Sequence, residues 1–444
     1  MRRIAWIVVG CFGVGVAGVA LVTCVGDTPA VLADAGFESS TVDDGGCAAR
    51  SVTESTAIFV NINGTDSPQC GSAASPCQTI QFGLNQAKAL TRTTVYVARG
   101  TYKESIKLSP GITLEGGWDT LSGKWIPACG ADLLGAVKLQ MPDATNVVVT
   151  ADFAGSATLR NLTVLGKAAS PAPGESLYGV FAKTASIALE SVAVSVGAAG
   201  PGAGGDAGAP GSDGGIKCAT SNGGAGSPGT PGPGGDGGLV GPTGYVPANG
   251  AAGGSNGTAG NNGTCTAACG GNEFTICKPN TVNCSKAQGC VNQLAGCGGT
   301  PGTGGLGGGG GGSSIAVFGW DAKFTVSGGS FSGGNGGNGG AGGPGGSGGT
   351  GGGGSTEQEG CASCISGNNC ATVGNTTLAT GGAGGTGGPG GTGGGGAGGW
   401  SFGIYAGGTG TITVVNAPVY QHGTPGAAGT PNGAVGQAGD RFPP

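Results

Sequence analysis

Between Gly333 and Gly354 every third residue is glycine, and the same spacing returns at Gly202 to Gly214, Gly223 to Gly244, Gly254 to Gly263, Gly299 to Gly311 and Gly381 to Gly399. The chain holds 109 glycines and 24 prolines in 444 residues, a composition that without a period describes a disordered chain. A period of three matches a polyproline II helix, which has about 3.1 Å of rise per residue and no internal hydrogen bonds. Every N–H and C=O of such a helix points sideways, to be met by water or by another segment. Glycine at each third position clears one edge for a close neighbour, and Gly-Gly-X clears two. The runs Gly333 to Gly352 and Gly381 to Gly394 are of the second kind and suit a polyglycine II bundle. At the polyproline rise, Gly333 to Gly354 and Gly381 to Gly399 span about 68 and 59 Å, matched well enough to lie side by side. Breaks at Ile216 to Asn222 and Tyr245 to Asn249, with frequent glycine at X and Y, disfavour a collagen triple helix. A solvated, disordered linker is the competing expectation.

Ordering glycine carries a high entropic cost. Pro228, Pro231, Pro233, Pro344 and Pro389 preset the backbone and offset part of it. Disulfides supply the other offset. Beyond Cys24 stand fourteen cysteines: Cys47, Cys70, Cys77, Cys129, Cys218, Cys265, Cys269, Cys277, Cys284, Cys290, Cys297, Cys361, Cys364 and Cys370. That even number fits an oxidising compartment. Seven of them, Cys218 to Cys297, fall in one glycine-rich stretch and three, Cys361 to Cys370, in another, so complete pairing sends a bridge out of each. Cys70–Cys77 and Cys47–Cys129 would serve the remainder. Cys361-x-x-Cys364 has zinc-ligand spacing, but the chain has one histidine, His422, read as a surface residue. No metal and no cofactor is expected.

Met1-Arg2-Arg3 and the apolar run Ile4 to Val22 form the n-region and h-region of an export signal. The run ends in Leu21-Val22-Thr23-Cys24, which resembles a bacterial lipobox with Cys24 as the lipidated residue, with Thr23 where Gly, Ala or Ser is usual. Cleavage after Ala33-Asp34-Ala35 and an uncleaved anchor are the alternatives. All three place the rest outside the cytoplasm, secreted or held at the outer surface of a membrane by a lipid or N-terminal anchor. With a net charge of −5 and no basic stripe, nucleic acid is not an expected partner.

Residues 25–55 are small and polar and read as a flexible linker. From Ala57 the pattern changes: strand-like Ile58-Phe59-Val60-Asn61, a Cys70 to Cys77 loop, amphipathic Thr79 to Ala87, then strand-like Thr94 to Tyr102. Short strands follow at Ile106 to Leu108, Ile112 to Glu115, Val137 to Gln140, Val147 to Thr150, Ala157 to Leu159 and Leu162 to Leu165. Short strands separated by turns, each unable to bury its own face, are the mark of a solenoid. The succession "NGTD…PCQTIQ" before "VYVARGTYKESIKLSPGITLEGGW" resembles the opening of right-handed parallel β-helix proteins of the pectin-lyase-like class, over Ala57 to Gly197.

An internal repeat extends the pattern. Leu177 to Val194 is matched by Ser314 to Phe331 and again by Phe402 to Tyr420, and each copy is followed at the same point by glycine-rich sequence. The expected fold is therefore all-β: a right-handed parallel β-helix with glycine-rich, polyglycine II-type insertions leaving successive rungs. Its parts are a signal and lipobox at 1–24, a linker at 25–55, a β-helix base at 56–197, an insertion at 198–312, a rung at 313–331, an insertion with a cysteine cap at 332–399, a rung at 400–422 and a glycine-rich tail at 423–444.

The Gly381 to Gly399 run resembles the glycine-rich repeats of mycobacterial PGRS proteins, the tips of glycine-rich phage tail adhesins and the springtail-type antifreeze proteins, although the amino-terminal helical module of the first group is missing. Lyases of the β-helix class use clustered Asp ligands for calcium and an Arg base, and hydrolytic relatives use paired carboxylates. Here Asp143, Asp152, Arg160 and Glu190 are single charges flanking strands, each read as part of a solvated turn, and no catalytic residue is assigned. The expected role is non-catalytic: an exported cell-envelope protein, structural or adhesive, with glycans or another cell surface as partners. Polysaccharide binding or cleavage and ice binding are the alternatives.

Overall fold

The computed structural model describes residues 50–121, 123–130, 132–219, 221–251, 253–266, 294–360 and 376–443. The export signal, Cys24, Cys47, Cys269, Cys277, Cys284, Cys290, Cys361, Cys364 and Cys370 lie outside the described residues.

After a first strand, Ala57–Val60, comes a helix of about three turns, Ile80–Ala89. Thr79 caps it by accepting the Phe82 N–H, and its apolar face, Ile80, Leu84 and Ala87, is buried. Two carboxylates sit at the same helix start. Asp66 accepts the Gln78 and Thr79 amides, and Glu104 accepts those of Ile80 and Gln81. Both complement the positive end of the helix dipole. Burial nevertheless pushes the Glu104 carboxyl above the usual carboxylate range.

The rest of this region is a large, mostly parallel sheet. Ala57–Val60, Thr94–Ala98, Thr113–Leu121, Val147–Leu165, Leu177–Ser195, Ser314–Trp320, Ser401–Gly407 and Ala438–Phe442 pair in that order. Among the described residues only Lys124–Pro127 joins the large sheet antiparallel, against Thr113–Leu121. The three repeated stretches stack in register: Phe324 stands between Ile187 and Ile412, and Phe331 between Val194 and Tyr420. The long strands Val147–Leu165 and Leu177–Ser195 turn at Asn161, Thr184 and Ser191, which have φ of 53°, 57° and 49°. Stacking therefore produces columns of like side chains. Leu114, Leu159, Leu189 and Val326 form one column with no exposure, and it ends at Val414, 37% exposed, on the last strand of its series.

A second column, Phe181, Phe318, Tyr405 and Phe442, runs along another face as a ring stack with centroids 4.9, 5.7 and 4.8 Å apart. Around it Tyr178, Tyr245, Ile315, Trp400 and Phe402 form a separate apolar cluster. Tyr245 belongs to a glycine-rich stretch. Its amide donates to the Tyr178 hydroxyl (2.8 Å) and its own hydroxyl donates to the Gly398 carbonyl (3.1 Å). Aromatic packing thus joins the sheet to the glycine-rich segments.

Those segments are hydrogen-bonded to one another at three-residue intervals. Val196 donates to Ser332 at the end of the strand pairing, and the ladder continues through Ala199 to Asn335, Gly202 to Asn338, Gly205 to Ala341, Gly208 to Pro344, Gly211 to Ser347 and Gly214 to Thr350. Nothing slips at the boundary. The same holds from Ser314–Trp400 back through Gly311–Ala397 to Gly299–Gly385, and from Gly333–Gln421 through Gly336–Thr424 to Gly342–Thr430. Antiparallel ladders close the set. Gly337 to Gly352 donates to Gly312 through Cys297, while Cys297 to Gly312 donates to Gly215 through Gly200. Three segments therefore satisfy one another in a ring: the first donates to the third, the third to the second, the second to the first.

In the stretch 423–444, read as a tail, residues 424–430 pair with 336–342, and the chain then reverses to form Ala438–Phe442, a strand added beside Ser401–Gly407. Its glycine and proline content hid that strand from a pattern search.

The glycines are required by this packing. A methyl group at Gly342 would collide with the Gly393 carbonyl, and one at Gly343 with the Asp206 carbonyl, on two different neighbours. The third residues of these triplets, Ala341, Pro344, Ser347 and Thr350, are exposed. Gly343→Ala is expected to lower stability by about 1–3 kcal/mol through overpacking, whereas Ser347→Ala is expected to stay within about 0.5 kcal/mol. Calorimetric melting of the two variants beside the parent checks the contrast.

Candidate functional site

The charges that a catalytic reading would need lie in a ladder across parallel strands. Glu115 pairs in register with Arg160, and Arg160 with Glu190. Arg160 Nε donates to Glu190 at 2.6 Å and its Nη1 to Glu115 at 3.3 Å. On the other side Arg50 donates to Glu115 at 2.9 Å and lies 4.7 Å from the ring centroid of Trp118. Arg160 and Glu190 are thus not isolated charges in solvated turns, because strand stacking brings residues 30 and 45 positions apart into contact. Glu190 and then Glu115 hold the Arg160 guanidinium above its ordinary value. Glu115 is 7% exposed and is contacted by both arginines.

Asp143 and Asp152 have separate partners. Lys103 donates to Asp143 at 3.0 Å and holds that carboxyl below its usual range, helped by the Ala169 amide. Lys183 approaches Asp152 at 3.9 Å. Both pairs are exposed and add little stability. A tighter pair escaped the sequence reading: Lys167, with only 4% of its side chain exposed, meets Glu175 at 2.6 Å. His422 is exposed and its Nε2 lies 3.8 Å from Asp440. Among the described residues no three His, Cys, Asp or Glu side chains converge on a possible metal position.

Disulfides join Cys70 to Cys77 and Cys218 to Cys297. The first pins the loop ahead of the helix. The second ties the far end of one glycine-rich segment to the start of another, closing a loop of 79 residues. Cys129 and Cys265 are also disulfide-bonded. Such bridges mark an oxidising compartment, and among the described residues no helix is long and apolar enough to cross a membrane.

On the glycine-rich segments many polar side chains are committed to backbone. Asn335 Oδ1 accepts the Thr424 amide while Gly336 donates to the Thr424 carbonyl; Asn338 and Gly339 grip Ala427 in the same way. In the antiparallel ladders Asn249, Asn256 and Asn262 accept from Gly310, Gly304 and Gly298, while the glycine after each donates two residues earlier. Thr303 and Thr300 accept the Ala209 and Ser212 amides at 2.6 Å. Asp213 accepts the Thr350 amide at 2.8 Å. The sequence carried the signal, Asn-Gly in frame with the triplet, but each partner lies dozens of residues away.

No protein-family model matches this chain, and no curated protein matches its sequence.

Two measurements follow. Arg160→Met leaves buried Glu115 with one partner and is expected to cost about 1–2 kcal/mol, below the range for a fully buried pair because Arg160 is 39% exposed; urea melts of R160M check it. The Thr350 hydrogen bonds hold the Asp213 carboxyl below the usual carboxylate range. A lowered acid contributes stability above its unfolded value and loses it as pH falls through its folded one. Amide exchange at Thr350 is therefore expected to accelerate only below about pH 4, and Asp213→Asn is expected to abolish that pH step.

Proposed function

We propose that this is a non-catalytic, exported cell-envelope protein with a structural or adhesive role. In this reading a right-handed parallel β-helix displays a polyglycine II bundle as a stiff projection, and a lipid on Cys24 or an N-terminal anchor holds the chain at the outer surface of a membrane. The observation that carries it is the unbroken hydrogen-bond register that passes from the strands into the glycine-rich segments. A flexible linker has no need of such a register. Segments locked to three or four neighbours behave as a rod, and their exposed faces are small residues and backbone, suited to broad, shallow contact with glycans or another cell surface.

Two further features favour this reading over its rivals. The charges nearest to a lyase or hydrolase set are engaged in cross-strand pairs. The hydroxyls of Thr300 and Thr303, which an ice-binding face would present to water, are turned onto the neighbouring backbone.

The full-length protein put on a glycan array beside a reducing-sugar release assay is expected to release no sugar ends; release would overturn the non-catalytic reading. Amide exchange of the glycines is expected to be slow at Gly202 to Gly214 and Gly337 to Gly352. Insertion of one glycine after Ser332 is expected to abolish that protection, and insertion of a Gly-Gly-Asn triplet to retain most of it. Uniformly fast exchange in the parent would overturn the projection. Cys24→Ser is expected to remove incorporation of a labelled fatty acid.

A further inference from the structure

Eight Asn-Gly pairs bear on one chemical question: Asn63, Asn222, Asn249, Asn256, Asn262, Asn335, Asn338 and Asn432 are each followed by glycine. This dipeptide is the most prone to cyclise, because glycine offers no side chain to shield its backbone nitrogen. In the reaction the glycine nitrogen attacks the Asn side-chain carbon. A C–N bond forms, the amide leaves as ammonia, and the amide proton goes to solvent base. Water then opens the succinimide at either carbonyl to give aspartate or isoaspartate. Both products add a negative charge, and isoaspartate also adds a methylene to the backbone.

The structure divides the eight into held and free sites. Asn222 is held through a side chain: its Oδ1 accepts from the Asn261 side-chain amide at 2.6 Å, and the Gly223 nitrogen donates to the Asn262 carbonyl. In Asn249, Asn256, Asn262, Asn335 and Asn338 the side-chain oxygen accepts a backbone N–H from a neighbouring segment, at 2.8 to 3.2 Å. The attacking nitrogen of the next glycine donates to that segment as well. Electrophile and nucleophile are both held, and reaction requires breaking two inter-segment bonds. Asn63 and Asn432 differ: both are exposed, the next glycine bonds only inside its own turn, to Asn61 and to Gly429, and neither side-chain oxygen accepts such a bond.

We propose that Asn432 and Asn63 are the deamidation sites of the folded protein and that docking silences the other six. Asn432 matters most. It sits at the reversal, with φ of 62°, between the last glycine-rich segment and the strand Ala438–Phe442. A methylene added there displaces that strand's register against Ser401–Gly407.

The test is peptide mapping by mass spectrometry of the full-length protein aged at mildly alkaline pH, with chemically unfolded protein as reference. In the unfolded protein the eight sites should convert at similar rates. In the folded protein Asn222, Asn249, Asn256, Asn262, Asn335 and Asn338 should convert on the order of tenfold more slowly than Asn432 and Asn63, as expected for two net hydrogen bonds. Thr424→Pro removes the amide that holds Asn335 and keeps a backbone angle suited to the segment. It should raise the Asn335 rate toward that of Asn432 while Asn338 stays slow. Equal rates across the folded sites would overturn the proposal, as would an Asn335 rate indifferent to T424P in a variant whose Asn338 remains protected. If T424P unfolds the segments, Asn338 accelerates too, and the parent ranking alone decides.

Discussion

The inter-segment backbone hydrogen bond is the interaction on which this molecule depends. A polyproline-like segment cannot satisfy any of its own N–H or C=O groups, so each run is stable only through its neighbours. Strands in the base are in a weaker form of the same position, since a single parallel strand also bonds only sideways. The two halves of the protein therefore follow one rule with different side-chain fillings. Where Val, Leu and Phe alternate, the lateral bonds stack an apolar column; where glycine recurs every third residue, they pack backbone on backbone.

This shared rule explains why the ladder from Val196–Ser332 to Gly214–Thr350 proceeds without a slip. Apolar columns such as Leu159, Leu189 and Val326 fix the register strongly, because a one-residue shift would turn each side chain to the opposite face. A glycine run fixes register weakly by itself, for one triplet looks like the next. The base supplies the specificity that the repeats lack. Cys218–Cys297 constrains the far end, so the repetitive part is held at both ends by non-repetitive chemistry.

Much of this plan could be read from the chain because its signals are local. The triplet period and the strand-like runs are each set within a few residues, and the matches at Leu177, Ser314 and Phe402 are copies of one such local run. Contacts between distant residues could not be read. Arg160 meets Glu190 and Glu115 only because parallel strands pair in register, and Asn335 meets Thr424 only because two glycine-rich segments run parallel. Ala438–Phe442 was hidden for a related reason: its pattern is poor as a strand, and the edge offered by Ser401–Gly407 makes it one.

A lattice of backbone bonds has a further physical consequence. Glycine loses more entropy on ordering than any other residue, and a glycine-rich segment buries little apolar side chain in return, so its stability must come from many small directional terms acting together. Removing one neighbour orphans the amides of a whole run. Such a structure is expected to fail by losing whole segments instead of fraying residue by residue. That places the weight of the fold on the aromatic joint formed by Tyr178, Tyr245, Phe318, Trp400 and Tyr405. There the Tyr245 hydroxyl on the Gly398 carbonyl joins a side-chain core to a core made of backbone.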